Sequence, residues 1–190
     1  MGKIVVTSFM SLDGVVEAPG GEPGYAHTNW VGERHHESWQ EYKQQEVEDS
    51  DALLLGRVTY ESFAGAWPQY EGQMADKMNA MPKYVVSSTM PSAHWNNSTV
   101  LSGDLRTEVE AVKTLHRGEI QVAGSRTLVN GLKALDLIDE YHFMVFPVVL
   151  GSGVRLFDEV QDSYALEFRS SRPFDNGVVV HTYIRKSQVS

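Results

Sequence analysis

Short apolar, β-branched runs alternate with helix-length polar or amphipathic stretches along most of this chain, and that alternation is the strongest constraint on its fold. Residues 4–9 read as a buried strand that stops at the tight turn Ser11-Leu12-Asp13-Gly14, and the Gly-Pro-rich residues 19–24 break regular structure. A polar helix with interspersed Trp39, Tyr42 and Val47 is expected over residues 33–49, then a strand over 51–56 and a short helix over 58–63. Strands at 83–88 and 99–102, a helix at 104–116, a strand at 119–123 and a helix at 125–135 continue the pattern. Strands that are apolar throughout and separated by helices predict an α/β fold, a mainly parallel sheet with helices on both faces. The end of the chain differs: residues 141–149, 164–171 and 178–184 are strand-like without long helices between them. They are therefore expected to pair antiparallel at one side of the sheet.

The chain has 190 residues, 42% of them hydrophobic, which suits one domain spanning residues 1–190. It has no cysteine, which excludes disulfides, thiolate-bound zinc, iron–sulfur clusters and cysteine nucleophiles. A net charge of −9 argues against a general nucleic-acid binder, because neutralising phosphates requires a basic face. No run approaches the ~20 apolar residues of a membrane span, and the amino terminus lacks a signal-like segment, so a soluble, cytoplasmic protein is expected. Gly2 does not begin a myristoylation motif, since Val6 stands where Ser or Thr is required. His35 and His36 are adjacent and diverge on a helix, so no metal site is expected from them.

Two strand-to-helix junctions carry chemistry. At Leu55-Gly56-Arg57 a buried strand delivers glycine and arginine to a helix start, where free N–H groups and the helix dipole favour an anion. Ala123-Gly124-Ser125-Arg126-Thr127-Leu128 repeats the arrangement, and Ser87-Ser88-Thr89 ends a third strand. Together they suggest a long ligand with several phosphates lying across the carboxyl ends of parallel strands. No G-x-G-x-x-G follows a strand, so a classical dinucleotide fold is not supported, and Gly151-Ser152-Gly153 reads as a turn.

In order, Ser11-Leu12-Asp13-Gly14, Leu55-Gly56-Arg57-x-Thr59, Ala123-Gly124-Ser125-x-x-Leu128, Leu137-Ile138-Asp139-Glu140, Pro147-Val148-Val149-Leu150-Gly151-Ser152-Gly153 and Leu156-Phe157 resemble the riboflavin-biosynthesis reductases, the RibD carboxyl-terminal domain family within the dihydrofolate reductase superfamily. The resemblance covers nearly the whole chain and implies a dihydrofolate-reductase-like, NADPH-dependent reductase, often a homodimer. It implies that Gly56, Arg57 and Thr59 meet the cofactor phosphates, with Ser87, Ser88 and Thr89 near the adenosine end. Gly124, Ser125, Arg126, Thr127 and Leu128 would carry the pyrophosphate, and Ser8 and Phe9 would border the nicotinamide. The substrate would lie against Ser11, Asp13, Trp30 and Tyr60. The superfamily commonly has two glycines where this chain has Gly124-Ser125, although Ser125 still offers a backbone donor. The zinc deaminase domain of the bifunctional riboflavin enzyme has no counterpart here, for want of length and cysteine.

Hydride transfer leaves the hard chemistry to the cofactor, so no triad is needed; a proton must follow, and Asp13 or a water beside it is the expected source. Trp30 is the aromatic expected to stack on a ring substrate, because it follows the Gly-Pro loop near Asp13. Asp139-Glu140 is expected to shape a turn or meet a partner, and residues 139–149, read as a long apolar edge, to form a homodimer contact. NADPH is expected over NADH, since Arg57 and the 87–89 hydroxyls supply donors for a 2′-phosphate and no acidic residue is evident for a free ribose hydroxyl. Three functions compete: reduction of a pyrimidine- or pteridine-like compound, as in 5-amino-6-(5-phosphoribosylamino)uracil reduction; dihydrofolate reduction; and non-catalytic nucleotide binding or regulation. Arg34 and Arg155 are available for a substrate phosphate, though no sequence argument places them.

Overall fold

The computed structural model describes residues 1–157 and 163–185. Its elements run β1 (Lys3–Ser11), α1 (Glu37–Glu48), β2 (Ser50–Gly56), α2 (Arg57–Ala66), α3 (Gln73–Ala80), β3 (Lys83–Val86) and β4 (Ser98–Leu101). They continue with α4 (Leu105–Leu115), β5 (Glu119–Val122), α5 (Arg126–Ala134), β6 (Glu140–Phe146), β7 (Leu166–Pro173) and β8 (Val179–Arg185). Among the described residues eight strands form one sheet in the order β4-β3-β2-β5-β1-β6-β8-β7. Every pairing from β4 to β6 is parallel; β6 with β8 and β8 with β7 are antiparallel. The α/β reading from the sequence stands: a mainly parallel mixed sheet with antiparallel carboxyl-terminal strands.

One strand departs from expectation. β6 pairs parallel with β1, from Val5↔Glu140 to Ser11↔Phe146, and is antiparallel only to β8. The cause is α5, which carries the chain back along the sheet and so returns β6 in the direction of β1. β6 therefore lies inside the sheet, and the edge on this side is β7. The strand also stops at Phe146, before Pro147, which has no N–H to give a ladder, and Val149 is exposed. A second departure is α3, in a stretch the sequence reading leaves unassigned. Met74, Ala75 and Met78 share one of its faces, at spacings of one, three and four, and this short apolar stripe was the available signal.

Leu53-Leu54-Leu55 shows why the strands read as continuous apolar runs. Leu54 joins Ile4, Val6, Ile120 and Val122 in a core that includes Val109 and Val112 of α4 and Leu128 and Leu132 of α5. Leu53 and Leu55 point the other way, into a cluster with Val47, Tyr60 and Met78 of α1, α2 and α3. A further aromatic cluster joins Trp30, Trp39, Met144 and Phe146. Among the described residues no helix is long and apolar enough to cross a membrane.

Candidate functional site

The two glycine junctions come together at the carboxyl ends of neighbouring strands β2 and β5. Gly56 precedes α2 and donates its N–H to the Gly124 carbonyl at 3.3 Å. A β-carbon on Gly56 would lie 2.3 Å from Ser125 Oγ. At Gly124, where φ is +129°, it would lie 2.9 Å from Thr59 Oγ1. The Gly124–Ser125 peptide is cis. Neither α2 nor α5 has a side-chain cap, whereas α1 is capped by His36 and α4 by Asp104. Two uncapped helix starts thus sit side by side with N–H donors to spare, an arrangement that suits a diphosphate.

These turns open on a cavity of about 530 Å³. Ser8 and Phe9 of β1, Thr59, Gly124, Ser125 and Arg126, all among the residues the resemblance assigns to a cofactor, line it. Toward α1, α2 and α3 the lining becomes apolar, with Trp39, Phe63, Trp67, Met74 and Met78. A loop bearing Glu17, Glu22 and Tyr25 forms part of the rim. Gly56 is buried behind Ser125; Thr127 is exposed, Leu128 is buried in the core, and neither of these two side chains borders the cavity. Arg57, Tyr60 and Thr89 line a separate, shallower groove. Ser87 and Ser88 do not line this groove: Ser87 Oγ accepts from the N–H groups of Thr89 and Met90 at 3.2 and 3.1 Å, shaping the turn after β3, and Ser88 is exposed. Arg57 is exposed and holds both oxygens of Glu61 at 3.0 Å. The sequence reading found no acid on this side, yet Glu61 is one helical turn from Arg57 and lines the same groove.

Beneath the cavity lies a layer of polar groups absent from the sequence reading. Thr7 of β1, Gln121 of β5 and Lys43 of α1 line the cavity floor, and behind them stands the buried carboxylate of Glu46. Glu46 accepts from Thr7 Oγ1 at 2.9 Å and Gln121 Nε2 at 3.2 Å, and Lys43 Nζ donates to both Glu46 and Thr7 Oγ1. His142 of β6 lies across from Thr7 in the strand register, with Nδ1 2.8 Å from Glu46 and Nε2 3.0 Å from Glu140. Burial alone would raise the Glu46 carboxyl, but Lys43 and His142 outweigh it and hold the pKa at about 2. Burial likewise lowers the His142 imidazole, and its two carboxylate hydrogen bonds overcome this and raise it. The available signals were the Lys43–Glu46 spacing on one helix face and the alternation Glu140, His142 on one strand face.

The substrate residues expected from the sequence are placed elsewhere; none of the four lines this cavity. The Asp13 carboxylate accepts from Ser11 Oγ at 2.7 Å and from the Leu150 and Gly151 N–H groups at 3.1 and 2.9 Å. The Ser11 bond leads these contacts in lowering its pKa to about 2, so Asp13 is an ionised loop anchor and a poor proton donor. Ser11 is buried, its hydroxyl also accepting from the Val15 N–H. Trp30 is buried, donates its indole N–H to the Glu17 carbonyl and packs edge-on against Phe146, so it cannot stack on a substrate. Tyr60 is buried, and its hydroxyl accepts from the Trp95 N–H at 2.8 Å. Arg34 donates to the Trp30 carbonyl and pairs with Glu33, and Arg155 binds the Asp13 carbonyl and carboxylate. Asp139 ties β1 to α4, accepting from the Ile4 N–H and Lys113 at 2.7 Å each. Among the described residues no cluster of three metal-binding side chains occurs.

Comparison with known proteins gives a consistent relationship. The family described as the RibD C-terminal domain matches residues 2–180. The chain is 30% identical over 183 residues to the uncharacterized protein YwjB of Bacillus subtilis, covering 96% of this chain and 98% of that one. In structure it resembles a pyrimidine reductase-like protein from Corynebacterium diphtheriae, with a TM-score of 0.69, 12% identity and coverage of 98% and 92%. It also resembles dihydrofolate reductase from Enterococcus faecalis, solved with NADP(H), with a TM-score of 0.63, 15% identity and 97% coverage of each chain.

Proposed function

The chain belongs to the RibD C-terminal domain family, and on that footing we propose that it is an NADPH-dependent reductase of a small pyrimidine- or pteridine-like ring compound. The observation that carries this reading is the pair of uncapped helix starts that follow Gly56 and Gly124, where an added β-carbon would lie 2.3 Å from Ser125 Oγ and 2.9 Å from Thr59 Oγ1, beside a ring-sized cavity. The family's cofactor supplies a hydride. In this reading the α2 and α5 N–H groups and Arg126 hold the diphosphate, and Gly124 lets it approach the backbone. Ser8 and Phe9 border the reacting ring. Arg57, Ser87, Ser88 and Thr89 face the adenosine end, with Arg57 leaving Glu61 to engage a 2′-phosphate.

Asp13 does not serve as proton source. Lys43 Nζ lines the cavity, where its hydrogen bonds to Thr7 and the Glu46 carboxylate hold it in place, and it takes the role of proton source in this reading. From α1, Trp39, Gln40, Lys43 and Val47 line the cavity, with Glu46 behind them, so this helix offers a folate ring no carboxylate; the acids that line the cavity, Glu17 and Glu22, lie on the rim loop. A cytoplasmic location is part of the same proposal.

Calorimetric titration with NADPH and NADH tests the reading. NADPH is expected to bind more tightly than NADH, and Arg57→Ala to weaken it by about 1.5–3 kcal/mol while NADH changes little. Equal affinity for the two cofactors removes the assignment. Steady NADPH oxidation with a ring substrate excludes a purely binding role.

A further inference from the structure

A phosphate on a bound substrate needs a charge-assisted partner, because burying a dianion without one is costly. Among the described residues lining the cavity, the side chains with a permanent positive charge are Lys43 and Arg126. The Lys43 charge is balanced by the buried Glu46, which leaves the ammonium a donor for a neutral carbonyl or imine but no uncompensated charge for a phosphate. Arg126 opens α5 at the turn assigned above to the cofactor diphosphate. The two arginines that the sequence left available, Arg34 and Arg155, are bonded elsewhere and do not line the cavity. Two lining side chains, Glu17 and Glu22, are acidic, and the surface toward α1, α2 and α3 is aromatic and thioether.

Resting on the reductase reading, we propose that the substrate is an uncharged, largely apolar planar ring carrying no phosphate. Its carbonyl or imine edge meets Thr7, Lys43 and Gln121, and its apolar body lies against Trp39, Phe63 and Trp67. The family's phosphoribosyl-type substrate is then a poor ligand for this chain, while the ring chemistry is retained.

The test uses the intact protein saturated with NADPH and three probes: an aminouracil riboside, its 5′-phosphate, and a neutral naphthoquinone. Binding is read from quenching of tryptophan fluorescence and turnover from the NADPH absorbance. The riboside is expected to bind at least roughly tenfold more tightly than its phosphate, a factor worth about 1.4 kcal/mol. Binding of the quinone but of neither riboside supports the inference equally. The double substitution Glu17→Gln with Glu22→Gln is expected to narrow the ratio by easing repulsion at the rim. Equal or tighter binding of the phosphorylated probe, or binding of none of the three, overturns the inference and leaves the cofactor site standing. Failure to bind NADPH at all overturns the reductase reading beneath it.

Discussion

At Gly56 and Gly124 two chain segments meet so closely that an added β-carbon would press on a neighbouring side chain, yet the two positions are constrained differently. Gly124 has φ +129°, a conformation L side chains rarely adopt, and its missing β-carbon faces Thr59. Gly124→Val is therefore expected to abolish NADPH binding; a variant that stays folded by circular dichroism and binds like the parent would reduce the turn to a helix start. Gly56 has an ordinary extended φ of −76°, and its obstacle is chiefly the Ser125 side chain. Gly56→Ala is expected to weaken cofactor binding at least roughly tenfold, and Ser125→Gly in the same chain to restore most of it. Additive losses in that cycle would show that the two turns are not coupled. At the adenosine end, Arg57 must give up Glu61 before it meets a phosphate, and both side chains are exposed. Glu61→Gln is thus expected to tighten NADPH by up to about 1 kcal/mol without tightening NADH. These glycines and Arg57 were legible in the sequence because strand, glycine and helix start are neighbours along the chain. The substrate side was not legible, because Asp13 and Trp30 are near the site in sequence while their hydrogen bonds commit them to loop and core.

α1 packs on the sheet through a layer that is neither wholly apolar nor exposed: Lys43 and Glu46 meet Thr7, Gln121 and His142. Glu46 is depressed from its ordinary 4.5 to about 2 when folded, so its contribution is present above 4.5 and is lost as pH falls toward 2. His142 is raised, so its contribution is complete below its ordinary 6.5 and is lost as pH rises through the folded value. Thermal stability should accordingly form a plateau between these limits. Glu46→Gln is expected to flatten the acid limb and to cost about 3 kcal/mol or more, since Lys43 and His142 lose their shared counter-charge. His142→Gln is expected to flatten the alkaline limb. Melting temperatures measured across pH decide this, and unchanged limbs in both variants would count against the assigned ionisations. The sequence shows Lys43 and Glu46 as one more charged pair on a polar helix. That they face inward depends on what the sheet opposes to them, which local periodicity does not reveal.

Across the whole molecule the order β4-β3-β2-β5-β1-β6-β8-β7 brings β1, β2 and β5 side by side and leaves β7 as an edge exposed along nearly its whole length. A homodimer contact through residues 139–149 loses its premise, since β6 is interior. We propose instead that a homodimer forms through β7, where Phe168 is 57% exposed. Light scattering at high micromolar concentration should give twice the chain mass, and Phe168→Glu should return it to one; a monomeric parent discards the proposal. By itself the sequence determined the run of strands and helices apart from α3, the parallel character of the sheet and the two glycine junctions. Each of these is written in short-range patterning: apolar runs, helix-length spacing, and glycine where backbone must come close. Only the tertiary structure decided the direction of β6, the removal of Ser11, Asp13, Trp30 and Tyr60 from the cavity, and the placing of Lys43, Glu46, Gln121 and His142 beneath it. Those outcomes depend on which distant residues compete for the same hydrogen bonds and the same buried space, and such competition exists only once the sheet has formed.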